Sequence, residues 1–484
     1  MSSNGGVEKV EWTYRMRFYN YNMANSSAFE GLHQLQGGNG GGFESWVQEP
    51  LADGSPVDLV FATLSETRLQ LGPWVREYRT QPSHALDVAT YQNSLKEADK
   101  KNELPWTSVL DGMAEKYNGN LKTLLLFSRS RFRRDPESLP LFGRLPDKRV
   151  AGLALPNPKK AFIGRSLLSR HEELHFCFAG AHFPISDIAA ALEDPKKDNL
   201  EEAKILLART LRKVLCKAQR MGLLDDGTIL ILQGDLNSRT VLRPSGNQLD
   251  VLSEVMADKE LQAAIRVGLP LLDGEWFEPS NADPSELPVT YKFLYDVGET
   301  FLKGESSLTL KSLLQAASDV ELSPKSPSSE RLDFKEGSFR PFRFPASADR
   351  LLVWAPTKLA RRLRWNFPKG GYEVIHTQGG SDHRPVVLEA ALTVVAAAPD
   401  TSEPCRPDPS PELIEAVTQD DADNSDSGES PGLFGSLARG GQSWSQQQLV
   451  SSFGWIRALI PGCKARAEQM IKVVDGKLRN REIG

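Results

Sequence analysis

Short apolar runs of strand length recur along the chain and alternate with longer segments of helical periodicity. Turn-forming residues bound the runs, as where Gly54, Ser55 and Pro56 precede the run at 58–64. Predicted strands cover residues 16–23, 58–64, 122–127, 175–181, 228–232, 351–354 and 386–388. Runs of this length suit buried strands, and their alternation with helices predicts an α/β fold.

The clearest helix is predicted for residues 199–221, where apolar side chains repeat at helical spacing and two glutamates stand in the first turn. Gly222 ends this helix, and the run at 228–232 follows it. Further helices are predicted for residues 86–118, with a break at Pro105, and for residues 250–264.

Composition divides the chain into three parts. At 484 residues it exceeds one ordinary core, and we predict one large domain at 1–396. Residues 397–443 are predicted to be an acidic, disordered linker, because Pro, Ser and Asp dominate there and acidic groups greatly outnumber Arg406. Residues 444–484 are predicted to form a basic, amphipathic, helical tail. Binding of this tail to an anionic membrane or a partner and its packing on the main domain are both open.

The bulk composition excludes several classes of protein. A net charge of −5 argues against a nucleic-acid partner, which needs a basic surplus. The cysteines lie far apart without CxxC spacing, which favours reduced thiols over disulfides or a zinc site. They are Cys177, Cys216, Cys405 and Cys463. Residues 1–12 lack the apolar segment of a signal peptide, and no apolar run has the roughly 18 residues of a spanning helix, so we expect a cytoplasmic protein.

Carboxylates, amides and imidazoles recur where predicted strands begin or end. These residues are Asn22, Glu66, His182, Asp235, Asn237, Asp349, Asp382 and His383. Taken singly, such an Asn, Asp or Glu is more often a turn former or a helix cap. Their recurrence at several strand ends favours one shared site.

These residue types suit the hydrolysis of a phosphate ester. Attack on the anionic ester requires a divalent cation to neutralise charge and a base to activate water. Magnesium prefers carboxylate and amide oxygens. His383 is the natural proton-handling group, and Asp349 is the carboxylate predicted to orient it. For His182, a structural role and a phosphate contact are both open. The pattern predicts a metal-assisted phosphoester hydrolase.

Four motifs resemble, in their order, the signatures of the inositol polyphosphate 5-phosphatases. They are GDLNSR at 234–239, PVTYKF at 288–293, PASADRL at 345–351 and SDHRPV at 381–386. That family belongs to the endonuclease/exonuclease/phosphatase superfamily, and the resemblance covers residues 12–394. It implies a DNase I-like, four-layer α/β sandwich of two packed, mostly antiparallel sheets flanked by helices.

The resemblance also implies a role for each matching residue. A Mg²⁺ ion would be held by Glu66, Asn22 and Asp382. The implied catalytic residues are Asp235 at the attacking water, Asn237 and His182 on the phosphate, and His383 with its partner Asp349. The implied substrate-binding residues are Tyr291, Lys292, Arg343, Arg350 and Arg384. The implied reaction is magnesium-dependent removal of the 5-phosphate from phosphoinositides or soluble inositol polyphosphates.

Some positions depart from the family pattern. Ser238 stands where the family has an aromatic residue, and Ser347 and Ala348 replace Trp-Cys. These are packing positions. The family's GNKGG-like strand is not legible between residues 142 and 170. Substrate preference therefore follows from the motifs less directly than reaction type does.

Alternatives remain for activity and for membrane contact. One rival interpretation is a nuclease of the same superfamily, either an abasic-site endonuclease or a deadenylase; Arg384 and the Tyr291-Lys292 pair disfavour it. The other is an inactive scaffold, which the complete set of polar site residues disfavours. The loop at 129–134 carries four arginines around Phe132, which suits either contact with anionic lipid or a solvated loop.

Overall fold

The computed structural model describes residues 12–23, 49–66, 110–117, 121–135, 140–150, 153–170, 174–193, 199–242, 248–269, 273–279, 286–291, 346–375, 383–395 and 408–419. The strands in chain order are β1 (Trp12–Asn22), β2 (Leu59–Ser65), β3 (Leu110–Tyr117), β4 (Leu121–Ser128), β5 (Phe132–Arg134), β6 (Leu141–Val150), β7 (Leu153–Ser169), β8 (His175–His182), β9 (Thr228–Asp235), β10 (Thr240–Leu242), β11 (Gln248–Asp250), β12 (Gly274–Phe277), β13 (Asp349–Pro356), β14 (Leu363–Asn366), β15 (Tyr372–Val374) and β16 (Val386–Val394). The helices are α1 (Ser186–Glu193), α2 (Asn199–Arg220), α3 (Val251–Ala257), α4 (Lys259–Arg266), α5 (Thr357–Ala360) and α6 (Pro411–Thr418).

The strands form two seven-stranded sheets and a short hairpin of β10 and β11. The first sheet has the order β14-β16-β1-β2-β4-β3, with β15 beside β16. The second has the order β12-β13-β9-β8-β7-β5, with β6 beside β7. The parallel pairs among these described strands are β1 with β2 and β8 with β9, whereas the neighbouring pairs are antiparallel. The prediction of mostly antiparallel sheets is confirmed.

The two sheets pack face to face, and alternation along each strand separates two cores. On β8, Phe176 and Phe178 face the first sheet, where they join Tyr14 and Phe61 in an aromatic core. The alternate residues of β8 and β9 face α2 in a second, mainly aliphatic core. This arrangement confirms the predicted α/β architecture of packed sheets flanked by helices. The described helices contact the second sheet, so the described residues account for three of the four predicted layers.

Two helix predictions need correction. Residues 110–117, predicted as the end of a helix, form β3, because β4 presents backbone groups that β3 satisfies by antiparallel pairing. The helix predicted at 250–264 is divided into α3 and α4 at Asp258. The Asp258 carboxylate accepts a hydrogen bond from the Leu261 backbone N–H at 3.0 Å, so it caps a new helix there.

The expected disordered linker at 397–443 contains an ordered segment, α6, and for these residues the prediction of disorder is wrong. Ser410 caps the helix by accepting a hydrogen bond from the Leu413 backbone N–H at 3.2 Å. Val417 is buried in the core beside α2, and Arg209 donates to the Ala416 carbonyl. Burial of these apolar side chains offsets the entropy of ordering the segment.

The described helices include none that is both long and apolar enough to cross a membrane. The basic tail predicted at 444–484 lies outside the described residues.

The topology brings strand ends from both sheets to one end of the molecule. The parallel pairs β1–β2 and β8–β9 finish there, and their antiparallel neighbours β16 and β13 begin there. The buried side chain of Gln233 joins the sheets just inside this end, since its amide donates to the carbonyls of Tyr19 and Phe61 and to the Thr63 hydroxyl at 2.9–3.1 Å. The polar residues predicted at strand ends are therefore neighbours.

Candidate active site

Strand alternation directs the polar side chains at this end into the space between the sheets. On β9, Asp235 has the same parity as Ile229 and Ile231, which face the first sheet. Asp349 stands opposite Asp235 in the register of β13, and His182 stands opposite it in the register of β8. Three residues that are distant in sequence thus form one row.

Asp235 is the centre of the site. Its Oδ2 accepts a hydrogen bond from the Asn22 side-chain amide at 2.8 Å, lies 3.3 Å from Nε2 of His182 and lies 3.8 Å from Nε2 of His383. Burial opposes ionisation of this carboxyl, but His383, His182 and the Lys160 ammonium outweigh it and lower the pKa of Asp235 well below its usual range. Asp235 is therefore an ionised acceptor placed between two imidazoles.

Asp349 and His383 form a buried dyad. Nδ1 of His383 lies 2.8 Å from Oδ2 of Asp349, while the Asn20 amide donates to Oδ1 of the same carboxylate at 3.0 Å. Burial raises the pKa of Asp349. The Thr290 hydroxyl accepts the backbone N–H of Asp349 at 3.1 Å and so fixes the start of β13. The dyad holds Nε2 of His383 toward Asp235.

The backbone of the GDLN segment explains its sequence. Gly234 has φ 151°, and a Cβ there would lie 1.9 Å from the carbonyl oxygen of Ala181, so only glycine fits beside β8. Asn237 adopts a left-handed φ of 52°, its backbone N–H donates to Asp235 at 3.1 Å, and its amide donates to the Phe183 carbonyl at 2.7 Å. These bonds hold the Asn237 amide beside the carboxylate.

Glu66 follows β2 and lies beside His182. It has a positive φ of 48°, its side chain is 24 % exposed, and Oε1 lies 3.6 Å from Nε2 of His182. Carboxylate and amide oxygens from Glu66 and Asn22 are ligands that suit a hard divalent cation. A second group with metal-ligand chemistry comprises Asp235, Asp349 and His383, whose ligand atoms lie within 4.8 Å of one another.

Sequence patterns did not predict three further residues of the site. Lys160 of β7 is buried and contacts Nε2 of His182. Asn20 binds Asp349 as described above. Arg239 donates to Oδ1 of Asn237 at 2.8 Å and places its guanidinium 4.3 Å from the centre of the Tyr291 ring. Two of these residues had a signal in the sequence: Asn20 has the same strand parity as Asn22, and Arg239 belongs to the GDLNSR motif. Lys160 had none, because its position beside His182 follows from the pairing of β7 with β8.

The structure contradicts the predicted substrate contact of Arg350. Its side chain points to the helix-covered face of β13, opposite to that of Asp349. Nε donates to Glu278 at 2.7 Å, Nη1 donates to Asp250 at 3.1 Å, and the residue is fully buried. Arg350 is therefore a structural residue.

Arg384 lies directly behind the catalytic candidate His383. Its side chain is completely buried, and Nη1 donates to the backbone carbonyl of His383 at 3.1 Å. In this position the guanidinium supports the backbone that carries the imidazole. A direct contact of Arg384 with substrate stays a prediction.

Tyr291 lies in the site. Its ring centre is 4.7 Å from that of His383, and its backbone pairs with Ala346 and His383. Three other predicted site residues, Lys292, Arg343 and Asp382, lie outside the described residues.

The arginine-rich loop at 129–134 lies at the opposite end of the sheets. It follows β4, whose end pairs with the beginning of β2, so the seven residues of β2 separate it from Glu66 by roughly 20 Å. Arg131 pairs with Asp58 at 3.3 Å, and Phe132 is fully buried against Tyr14 and Phe176. The hypothesis that this aromatic residue touches lipid is wrong.

The chain matches no family model and no curated protein. Solved structures similar to it include a ferrous nitric oxide complex of Cimex nitrophorin, at 13 % identity over 79 % of this chain and 99 % of that chain, with a TM-score of 0.37. Another is the inositol polyphosphate 5-phosphatase domain of SPsynaptojanin with inositol (1,4)-bisphosphate and calcium, at 14 % identity over 86 % and 93 % of the two chains, with a TM-score of 0.35. A third is an endonuclease/exonuclease/phosphatase family protein from Bacteroides thetaiotaomicron, at 10 % identity over 79 % and 96 %, with a TM-score of 0.35.

At TM-scores this low, these likenesses do not select an activity. A nitrophorin and a phosphatase domain stand side by side among them, and one fold hosts many chemistries. The function must be argued from the site.

Proposed function

We propose that this chain is a phosphoric monoester hydrolase that removes the 5-phosphate from phosphoinositides or soluble inositol polyphosphates with the help of a divalent cation. The observation that carries the proposal is the position of Asp235, whose Oδ2 lies 3.3 Å from His182 and 3.8 Å from His383. A carboxylate between two nitrogen donors suits a water nucleophile on the carboxylate and a phosphate group on the donors.

Each group has a role that follows from its contacts. The ionised Asp235 accepts a hydrogen bond from the attacking water and orients it. His383, held by Asp349 at 2.8 Å, presents Nε2 to the phosphate. His182 approaches from β8, and Asn237 from the turn after β9; one N–H of the Asn237 amide binds the Phe183 carbonyl, and we assign the other to a phosphate oxygen.

We assign the cation to Glu66 and Asn22, with Asp382 as the third predicted ligand. The partly exposed Glu66 carboxylate fits this role, since magnesium keeps several waters and needs few protein oxygens. The other acidic group fits less well, because its closest members, Asp349 and His383, are already joined by a hydrogen bond. When bound, the cation supplies charge neutralisation of the phosphate and a lower pKa for water.

The choice of an inositol phosphate rests on the four ordered motifs and on Tyr291. In the family that these motifs resemble, the Tyr-Lys pair contacts the phosphate next to the one removed. Here the Tyr291 ring lies 4.7 Å from that of His383, the residue assigned to the scissile phosphate, and this proximity supports the choice.

The test is phosphate release from a panel of inositol polyphosphates and phosphoinositides, with magnesium and with EDTA, alongside nicking of abasic DNA and shortening of poly(A). We expect magnesium-dependent release from substrates that carry a 5-phosphate and none from analogues that lack it. Asp226→Asn, an exposed change at the far end of β9, is the matched control and should retain activity.

The rival functions give different results. Cleavage of nucleic acid without phosphate release would replace the proposal with a nuclease. Absence of both activities, together with normal folding, would indicate an inactive scaffold.

A further inference from the structure

Arg239 is a buried cation whose hydrogen-bonding capacity is largely unused. The residue is 4 % exposed, and its Nη2 donates to Oδ1 of Asn237 at 2.8 Å. Nε and Nη1 are buried and have no hydrogen-bond partner. Within the described residues and their contacts, no carboxylate pairs with this guanidinium. Buried donors are nearly always satisfied, so such a group calls for a ligand.

The surroundings of Arg239 are those of the candidate active site. Cζ of Arg239 lies 4.3 Å from the centroid of the Tyr291 ring, and the centroid of that ring lies 4.7 Å from the centroid of the His383 ring. Asn237, its hydrogen-bond partner, donates its backbone N–H to Asp235 at 3.1 Å. His383 is as enclosed as Arg239, at 4 % exposure, so a ligand that reaches the imidazole enters the same space.

The Arg239 guanidinium lies over the Tyr291 ring and, being planar, donates in its own plane. With Nη2 occupied by Asn237, the remaining donors are free to meet an oxygen anion. Guanidinium binds phosphate through short, charge-assisted hydrogen bonds.

We propose that Arg239 is a substrate-binding residue that donates from Nε and Nη1 to phosphate oxygens in the site. The chemistry that it recognises is a phosphate dianion, either the group being hydrolysed or the inorganic phosphate released from it. This assignment rests on the proposed hydrolase function only for the identity of the substrate. The anion site itself is tested by phosphate binding, which does not require turnover.

The competing role is structural, in which Arg239 only holds Asn237 and Tyr291. Two features separate the roles. A direct donor loses anion affinity when the fork of donors is shortened to one ammonium, even if the fold is intact. A residue acting only through Asn237 has no effect once Asn237 has been removed.

The experiment measures binding of inorganic phosphate by its stabilisation of the protein against thermal unfolding, with magnesium present, in the full chain. For Arg239→Lys and Arg239→Ala we expect roughly 10- to 100-fold weaker phosphate binding. The control is Arg212→Lys, another buried arginine, which donates to the Ile265 carbonyl in α4 and should retain wild-type phosphate affinity. Arg239→Lys decides the result if the alanine variant does not fold.

Arg239→Lys is then repeated in the Asn237→Ala background. The same loss of affinity in both backgrounds supports direct donation, and its disappearance overturns it. Wild-type affinity in Arg239→Lys, or absence of phosphate binding to the unmodified protein, also overturns the inference. Arginine-dependent phosphate binding without ester hydrolysis would leave the anion site standing and refute the proposed function. Ester hydrolysis with an unchanged KM in both Arg239→Lys and Arg239→Ala would support the proposed function and refute the phosphate contact of Arg239.

Discussion

Asp349 and Arg350 are adjacent on β13, yet they belong to two buried charge clusters on opposite faces of one sheet. Asp349 faces the space between the sheets, with His383 and Asp235. Arg350 faces the helices and is bound by Glu278 and Asp250. In the second cluster Arg350 is paired with both carboxylates, whereas the first contains Arg239, whose Nε and Nη1 lack partners.

The difference separates two uses of buried charge. Around Arg350, the Ser238 hydroxyl and the Ser253 backbone N–H donate to Asp250 at 2.8 Å and 2.9 Å, and Tyr372 donates to Glu278 at 2.8 Å. Such a network joins β13 to α3 and β12 and leaves little capacity for a ligand. The Asp235 cluster is held as firmly but directs donors and acceptors at a common space. Substitutions on the two faces should therefore separate activity from stability.

Asp235→Asn should have the largest effect on activity. The amide keeps the shape of the side chain but replaces one acceptor oxygen with a donor, so it no longer orients the attacking water. We expect kcat to fall by about 10²- to 10⁴-fold, measured as phosphate release. Asp226→Asn controls for the loss of one negative charge on the same chain segment. Activity within a few-fold of wild type in Asp235→Asn would remove Asp235 from the chemistry.

Arg350→Met should give the opposite result. Removing the cation leaves Asp250 and Glu278 buried without their partner, which is expected to lower the free energy of unfolding by about 3–5 kcal/mol in urea titrations. The kcat of the molecules that remain folded should change little. Arg364→Met, at an exposed arginine, is the matched control and should cost less than about 0.5 kcal/mol.

A large loss of kcat in Arg350→Met without a loss of stability would contradict the division of β13 into a catalytic face and a structural face. It would restore the substrate contact that the motif implied for this residue.

Much of the fold could be predicted from apolar periodicity. The runs at 228–232 and 351–354 fall within β9 and β13, and the helix predicted at 199–221 matches α2 to within one residue. The strand β3 was missed because its sequence, LDGMAEKY, has no apolar run, and its strand conformation follows from pairing with β4. Local propensity does not contain that information.

Site residues at the ends of apolar runs could be predicted from the sequence, whereas residues that reach the site through strand pairing could not. Asp235, Asp349 and His383 end or precede apolar runs, so their convergence follows from topology. Arg350 was assigned to the same site because it adjoins Asp349, although strand alternation sends adjacent side chains to opposite faces. Lys160 meets His182 only through the pairing of β7 with β8. Such long-range pairing is not encoded in any local motif.

Asp349→Asn should have an intermediate effect and sharpen the comparison within the dyad. Asp349 offers one oxygen to Asn20 and the other to His383, whereas asparagine has only one acceptor oxygen for both donors. We expect a loss of kcat of about 10- to 100-fold from misorientation of the imidazole. Asn20→Ala, which leaves the oxygen bound to His383, should cost less. Equal losses in the two variants would indicate that the carboxylate supports the fold and does not orient His383.

The smallest effect is expected at a charge pair that is neither functional nor fully buried. Asp258 pairs with Lys204 at 2.9 Å and caps α4; burial opposes its ionisation, but the bonds from Lys204 and the Leu261 N–H lower its pKa. A lowered pKa in the folded state gives stability that is present above the unfolded value, about 3.9, and is lost as the pH falls through the folded value. Asp258→Asn keeps the helix cap but removes this ion pair, so it should cost about 1 kcal/mol at neutral pH.

The cost of Asp258→Asn should shrink in urea titrations as the pH is lowered below about 4, because wild-type Asp258 then becomes protonated and loses the same interaction. Phosphate release per folded molecule should stay at the wild-type level, since α4 lies on the helix-covered face with Arg350. A pH-independent cost would show that the loss does not come from the ionised pair of Asp258 with Lys204. A pH-dependent cost would extend the contrast between the two faces to a partly exposed ion pair.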